Sequence, residues 1–470
     1  MIWFKHVTLF LAAVLICTST QVAAKKVAET SFEFLAKYDG SIHLDNINKS
    51  LSAFENVDET AFNFGFKSTP TWFLFSIKNT DNNCPIVFEI TYPPIDSIAL
   101  YKVSNGKLSH LGNRGDMVLD SLTFKSTSHS FLLTNHSPRD TFLLSIKTLS
   151  ANQFDIKLHT LDNYISHTVN SHWFYAIFYG ILISMLVYNL LVYIVLRYQP
   201  YIFYCIYLIL QVLMFSSING HLFEFVFSGS SLANNVATIF SISFLSVAGI
   251  LFTISFLNIK KDSRLIWYIY IILIAINSLI ALSTPIASYE TQIKLSMAFG
   301  AVSSISVLIG GIISYSKGNK AARFFVLSWS LYLVSLVILV LLRFGFFGTS
   351  LFIVHLSEIG AVIETFLITL ALIDQMNIIR IENKRFTNEI QLKADKLKLQ
   401  TIQLQEHAHN LSHVLRKPIA NIIGLTQMIK SSDNSNNKEL LDLLDRSSAE
   451  LDSIIKNESK KLEKHEHREN

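Results

Sequence analysis

His413 stands in Asn410-Leu411-Ser412-His413-Val414-Leu415-Arg416-Lys417-Pro418-Ile419-Ala420-Asn421, a charged stretch with helical periodicity. A neutral imidazole is a good nucleophile toward a phosphoryl group near physiological pH. With Leu411 at heptad position d and Leu415 at a, His413 falls at f, on the outside of the seam, where a partner can reach it. Five residues on, Pro418 cannot donate to the carbonyl of Val414 and is expected to kink the helix just past His413. An ordinary surface histidine on a helix has the same spacing, so the pattern alone leaves both readings open.

Two other sets of residues could carry chemistry. Glu358, Glu364 and Asp374 interrupt the last of several apolar runs, with Glu364 close to its middle. An ionisable residue in a membrane span is a functional candidate, and its bland alternative is a protonated acid hydrogen-bonded to a neighbouring helix. Trp72, Tyr92 and Tyr101 could form an aromatic platform for a sugar. They serve equally as core residues, because aromatics favour strands in any case. No His, Cys, Asp or Glu cluster has metal-ligand spacing. No Ser-His-Asp arrangement emerges, no cofactor is expected, and the last apolar run has no lysine for a retinal Schiff base.

These residues need elements to hold them. Apolar runs at about 173–196, 201–218, 232–256, 265–284, 294–315, 321–342 and 351–376 are each long enough for a helix across a bilayer, which takes about 20 residues. Basic residues concentrate in alternate breaks: Arg197, then Lys260, Lys261 and Arg264, then Lys317, Lys320 and Arg323. Loops of that kind face the cytoplasm. The segment before Trp173 is thereby expected outside, and the tail after seven crossings inside. Lys5 and His6, the apolar run from Val7 to Cys17 and the small residues Val22-Ala23-Ala24 read as a secretory signal over 1–24 and give the same topology.

Composition fits a polytopic membrane protein, with 50% hydrophobic and 16% charged residues and a net charge of +4. Of the three cysteines, only Cys84 falls in the mature outer segment, so its fold must rest on its own core. That segment, 25–170, reads as strands at 72–77, 86–90, 98–101, 130–133, 141–146 and 154–158, after a poorly patterned stretch to Thr69. Such spacing predicts an antiparallel sandwich. Beyond Arg380, Ile390, Leu397, Leu404 and Leu411 recur every seven residues, with Ala394, Thr401, Ala408 and Leu415 four after each. This weak seam over 377–411 predicts a coiled coil able to shift between arrangements, or a simple dimer spacer. A polar turn at 431–437 and a second helix carrying Leu441, Ser448, Ile455 and Leu462 beside Leu444 and Leu451 complete a hairpin over 412–470, two copies of which would form a four-helix bundle.

Resemblance sharpens this reading. The run from Trp173 to Leu182, Tyr188-Asn189, Tyr201-Ile202-Phe203-Tyr204 and Asn219-Gly220 resemble the bacterial seven-transmembrane receptors with diverse intracellular signalling modules. The runs from Thr71 to Thr80 and from Ile90 to Asp96 are similar to that family's extracellular domain. The similarity covers about 70–380. It implies a jelly-roll-like outer domain that binds a carbohydrate or another small ligand, and a receptor role for the membrane domain at 171–376.

The stretch around His413 resembles the phosphoacceptor box of sensor histidine kinases, which implies a dimerisation and phosphotransfer hairpin. Val414 stands where the family commonly has an acid that assists the histidine, and Lys417 where many members carry Thr or Asn. No glycine follows Gly424 in the remaining 46 residues, so the glycine-rich segments of a nucleotide site are missing and self-phosphorylation unaided is not expected.

The expectation is a multi-domain membrane protein with a periplasmic all-β sandwich, a seven-helix bundle, a coiled coil and a cytoplasmic hairpin, seated in a bacterial inner membrane. It would sense a small extracytoplasmic ligand, contact membrane lipid, form a homodimer and use His413 with a histidine kinase or response regulator in trans. Nucleic acid is not expected as a partner. The alternatives are a truncated or degenerate sensor histidine kinase and a transporter or channel using Glu364.

Overall fold

The computed structural model describes residues 30–469 apart from 40–41, 43–52, 67–68, 80–84, 105–106, 117–125, 135–139, 149–150, 228–229, 344–354 and 432–436. The secretory signal, Cys17, Cys84 and most of the expected turn at 431–437 lie outside the described residues. The chain divides into two compact units, Met1–Met376 and Asn377–Asn470.

Among the described residues, ten strands open the first unit: β1 (Thr30–Asp39), β2 (Glu55–Asn56), β3 (Ala61–Phe66), β4 (Thr71–Asn79), β5 (Ile86–Ile90), β6 (Ser97–Ser104), β7 (Lys107–Arg114), β8 (His129–Leu133), β9 (Thr141–Lys147) and β10 (Ala151–Thr160). They form two antiparallel sheets, ordered β2-β1-β4-β9-β6-β7 and β3-β10-β5-β8. Side chains alternate across a strand, so Phe73, Phe75 and Ile77 of β4 face the second sheet, where Phe88, Phe131 and Phe154 meet them. Phe75 stacks on Phe88 with centroids 4.7 Å apart. All six strands expected from sequence lie within observed ones. β1 and β3 occupy the stretch read as poorly patterned: a register shift between Phe32 and Phe34 breaks the alternation of β1. β7, a polar edge strand, also carried no apolar pattern.

β10 runs straight into a helix. Thr160 ends the strand, and its hydroxyl accepts from Asn163 N at 3.4 Å to cap α1 (Leu161–Leu196), which therefore starts inside the segment read as outer domain. Then follow α2 (Gln199–Ile218), the short α3 (His221–Phe225), α4 (Ser231–Leu257), the short α5 (Ile259–Asp262), α6 (Arg264–Ser283), α7 (Tyr289–Ser316), α8 (Ala322–Arg343) and α9 (Leu356–Ser431). Six of them, α1, α2, α4, α6, α7 and α9, are long and apolar enough to cross a membrane. In α8 the described apolar stretch, Ala322–Ile338, is shorter. The described parts of the seven apolar runs read from sequence fall on these seven helices.

In the second unit α9 continues to Ser431, with Pro418 inside the helix, and α10 spans Asn437–Glu469. Past residue 410 the less exposed positions include Leu411, Leu415, Pro418, Ile422, Leu425 and Ile429 in α9 and Leu440, Leu444, Ser447, Leu451 and Ile454 in α10. Spacings of three and four residues are the mark of one helix packed along another. Of the residues expected on the second helix's seam, Leu444 and Leu451 are half-buried, and Leu441, Ser448 and Ile455 are exposed in the single copy. Ile390, Leu397 and Leu404 are also exposed, at 67, 65 and 69%.

Candidate functional site

The last membrane helix collects polar contacts from four others. Tyr207 OH and Gln211 Nε2 in α2 donate to the two carboxylate oxygens of Glu364 at 2.8 and 2.9 Å, and Ser328 Oγ in α8 donates to its backbone carbonyl at 3.1 Å. At the next residue Tyr204 OH donates to Thr365 O at 3.0 Å, and further along the helix Asn189 Nδ2 in α1 donates to Thr369 Oγ1 at 3.2 Å. Nearer the end of the bundle, Arg323 Nη2 contacts both oxygens of Asp374 at 2.9 and 3.1 Å, and Gln375 Nε2 donates to Phe256 O in α4 at 2.8 Å. Unpaired polar groups are costly in a bilayer, so such contacts fix helix rotation as well as position. Glu364 is 1% exposed, with its carboxylate aimed at α2.

Sequence reasoning picked out Glu364 and missed its partners. Gln211 and Asn189 were legible as amides inside apolar runs. Their pairing with α9, 153 and 180 residues away, was not.

The other end of this helix is ringed by aromatic and histidine side chains. Glu358 accepts from Ser357 Oγ at 2.7 Å and from Asn219 Nδ2 at 3.4 Å. His355 packs on Phe174 with centroids 4.2 Å apart, and His221 on Tyr175 at 4.6 Å. Among the described residues no group of three or more His, Cys, Asp or Glu is placed to hold a metal ion.

The β domain rests on the same end of the bundle. Gly220, at φ +78°, lies so close to the loop after β5 that a Cβ there would come within 2.8 Å of Pro93 Cβ. That loop is held from above: His129 Nε2 contacts Pro93 O at 2.9 Å, and Thr148 Oγ1 donates to Pro94 O at 3.2 Å. Burial pushes His129 down to about 4, the Pro93 carbonyl opposing and the Arg114 charge adding to the shift, so it is neutral at pH 7. A second polar group, Glu89 of β5, pairs with His159 Nε2 at 2.9 Å and accepts from Ser128 Oγ at 2.6 Å. His159 stacks on His167 of α1, centroids 5.5 Å apart.

The three aromatic candidates do not converge. Trp72, 7% exposed, and Tyr101 share an apolar cluster with Leu74 and Leu143 on the outer face of the six-stranded sheet. Tyr92 packs instead against the sandwich core, in the loop that meets the bundle. Trp72 and Tyr101 therefore act first as packing residues. A separate cleft of about 180 Å³ opens between the sheets, lined among others by Leu100, Lys102, Arg114 and Phe131. Lys102 is paired with Asp140 at 2.5 Å and Arg114 lies over the Phe131 ring at 5.2 Å.

In the second unit His413 is exposed on α9, its ring 4.7 Å from that of His409 in an edge-on arrangement. Leu411 and Leu415 on either side are half-buried and Pro418 is buried, so the helix turns the imidazole outward while its neighbours pack. The helix continues through Pro418, which removes one backbone hydrogen bond without ending it. An exposed imidazole on a rigid helix, with Val414 and no carboxylate next to it in sequence, can accept a phosphoryl group and has no neighbouring base built in.

Three family models match the chain. Residues 29–160 match "7TMR-DISM extracellular 2", residues 171–375 match "7TM diverse intracellular signalling", and residues 403–461 match "His Kinase A (phospho-acceptor) domain". The first match ends with β10, the second begins inside α1, and the third spans His413 and most of α10. No curated protein matches the chain.

Proposed function

Because the chain belongs to the seven-transmembrane receptors with diverse intracellular signalling and carries a histidine-kinase phosphoacceptor domain, we propose that it is a receptor that converts an extracytoplasmic signal into a change at His413. It is a membrane protein with an extracellular β domain, and a transmembrane signalling protein related to histidine kinases. In the proposed mechanism a small molecule, a carbohydrate or another ligand, binds the β domain. The loop carrying Pro93 passes the change to the outer ends of the helices, and α9 shifts in its nest of polar contacts. That shift alters the presentation of His413 to a partner.

The observation that carries this reading is the continuity of α9: one helix bears both Glu364, tied to α2 and α8, and the exposed His413. Helices packed through discrete polar contacts have two or more distinct arrangements rather than a continuum, which suits a relay. The exposed apolar positions Ile390, Leu397 and Leu404 supply a face for a second copy, so the working form is a homodimer with its tail in the cytoplasm of a bacterial cell. Residues 425–470 contain no glycine with which to cradle a nucleotide, so His413 receives its phosphoryl group from a nucleotide-binding kinase domain outside residues 412–470, or passes it to a response regulator.

The test is acid-labile phosphate on the chain purified from its native membrane, wild type against His413→Gln. Label present in the wild type and lost in the variant supports phosphotransfer. Equal label in both, or none in the wild type under any condition, removes His413 from the mechanism and leaves the hairpin as a docking module. A transporter using Glu364 would instead show solute flux that collapses in Glu364→Gln.

A further inference from the structure

Two carboxylates are buried in the extracellular domain where it meets the helices. Asp96 ends the loop Tyr92-Pro93-Pro94-Ile95-Asp96, and Asp116 follows β7; they are 6% and 5% exposed. Their backbones touch: Asp116 N donates to Ile95 O at 2.8 Å, and Gly115, at φ +130°, lets the chain pass directly against the Asp96 carbonyl. Asp116 Oδ1 is buried with no hydrogen-bond partner among the described residues. This is the loop that seats Pro93 on Gly220, and Tyr289, the first residue of α7, lies within electrostatic reach of Tyr92, Asp96 and Asp116.

We propose that Asp96 and Asp116 form a proton-binding site at the seam between the extracellular domain and the membrane helices, and that losing the bound proton loosens the Pro93 loop from the bundle. Two buried carboxylates brought near each other by this backbone contact, with the Asp96 charge acting on Asp116, are costly to ionise together. A proton held by one of them removes that cost and lets the loop close. When the O–H bond breaks, the proton leaves to hydroxide in the outer solvent and both electrons stay on the carboxylate. The pair then carries two like charges under a low-dielectric seam.

Several charged and titratable groups surround the pair, among them Lys147 of β9, which lies across from Ser97, the residue after Asp96. Arg114, two residues before Asp116, is engaged with Ser130 O, Asn113 O and the Phe131 ring. His129 is neutral through burial. On α7, Glu290 is paired with Lys294 at 2.7 Å. His221 and Glu224 follow Gly220 in α3, and burial with the His172 charge pushes His221 down to about 4. Burial, with the Asp96 charge second, raises Asp116 to about 8, so the proton is bound at neutral pH and leaves in mildly alkaline surroundings. The folded value lies above the unfolded one, so the seam is fully stable below about 4 and loses that stability as pH rises through about 8.

This goes beyond the receptor reading, giving the seam a chemical input of its own, and it does not depend on phosphoryl transfer at His413. The test uses the full chain in lipid nanodiscs. Amide hydrogen exchange over residues 92–96 and 217–220, corrected for base catalysis, is followed as pH rises through about 8. Wild type is expected to lose protection severalfold across that range, Asp116→Asn to stay protected throughout, and Asp96→Asn to move the step to lower pH. A wild type without a step, or Asp116→Asn with the same step, overturns the proposal. Should Asp116→Asn fail to fold, an unmoved step in Asp96→Asn overturns it instead. A step that disappears when divalent cations are chelated also overturns it, in favour of a bound metal.

Discussion

Tyr207 OH donates to Glu364 Oε1 across 2.8 Å between α2 and α9, deep in the bundle. The contact ties the helix that carries His413 to a helix that ends at the extracellular seam. Glu364→Ala leaves the Tyr207 hydroxyl and the Gln211 amide buried without their acceptor, an expected loss of about 1–3 kcal/mol. Glu364→Gln keeps an acceptor for one donor and is expected to cost less. Thermal unfolding of the detergent-solubilised protein checks the order: wild type, then Gln, then Ala.

At Gly220 two constraints coincide: a left-handed backbone angle and direct contact with Pro93. Gly220→Val is therefore expected to strain the turn and push the extracellular domain away from the helices. The backbone angle alone costs about 1–2 kcal/mol for a residue with a Cβ. Protease nicking of the loop at 92–96 should accelerate in this variant and stay at the wild-type rate in Gly318→Ala, which shares a left-handed angle, φ +92°, but has open surroundings.

Acid should loosen a different part of the domain. Burial alone would raise Glu89, but hydrogen bonds from His159 and Ser128 and the charges of His167 and His159 outweigh it and hold the carboxyl below its usual value. A depressed folded value means stability that is present above pH 4.5 and lost as pH falls through the folded value. Glu89→Gln should abolish that part of the acid dependence. Exchange of the β5 and β10 amides between neutral pH and pH 4 measures it; an unchanged acid profile would remove Glu89 from the account.

Leu404 is 69% exposed and lies on the apolar stripe with Ile390 and Leu397. In the proposed homodimer Leu404→Cys should cross-link rapidly between two copies under mild oxidation, whereas Lys396→Cys, at the outward heptad position c, should cross-link slowly. Equal rates at both positions would argue against a heptad seam.

Much of the architecture was legible because it rests on local periodicity. The seven apolar runs and six of the ten strands follow from side-chain patterns that one burial environment imposes. β1 escaped through its bulge and β7 through its polar edge, where alternation is not required. In α10 Leu440 and Leu441 are adjacent leucines, and periodicity alone cannot say which one a neighbour within the same copy covers. Glu364 stood out as a lone acid in an apolar run, while Tyr207, Gln211 and Asn189 became its network only through folding. The Asp96–Asp116 pair had no signature, since 20 residues separate two unremarkable acids that only a Gly115 turn brings together.

The central claim is that the seam and the polar nest around α9 govern His413. Its most direct test is the amount of acid-labile phosphate on His413 in cells expressing wild type, Gly220→Val or Glu364→Ala, normalised to the protein in the membrane. The account predicts that both variants shift the labelled fraction away from wild type and that adding His413→Gln abolishes the label in each. Identical labelling in wild type and both variants, with all three folded, would contradict it, because His413 would then be insensitive to the contacts proposed to carry the signal.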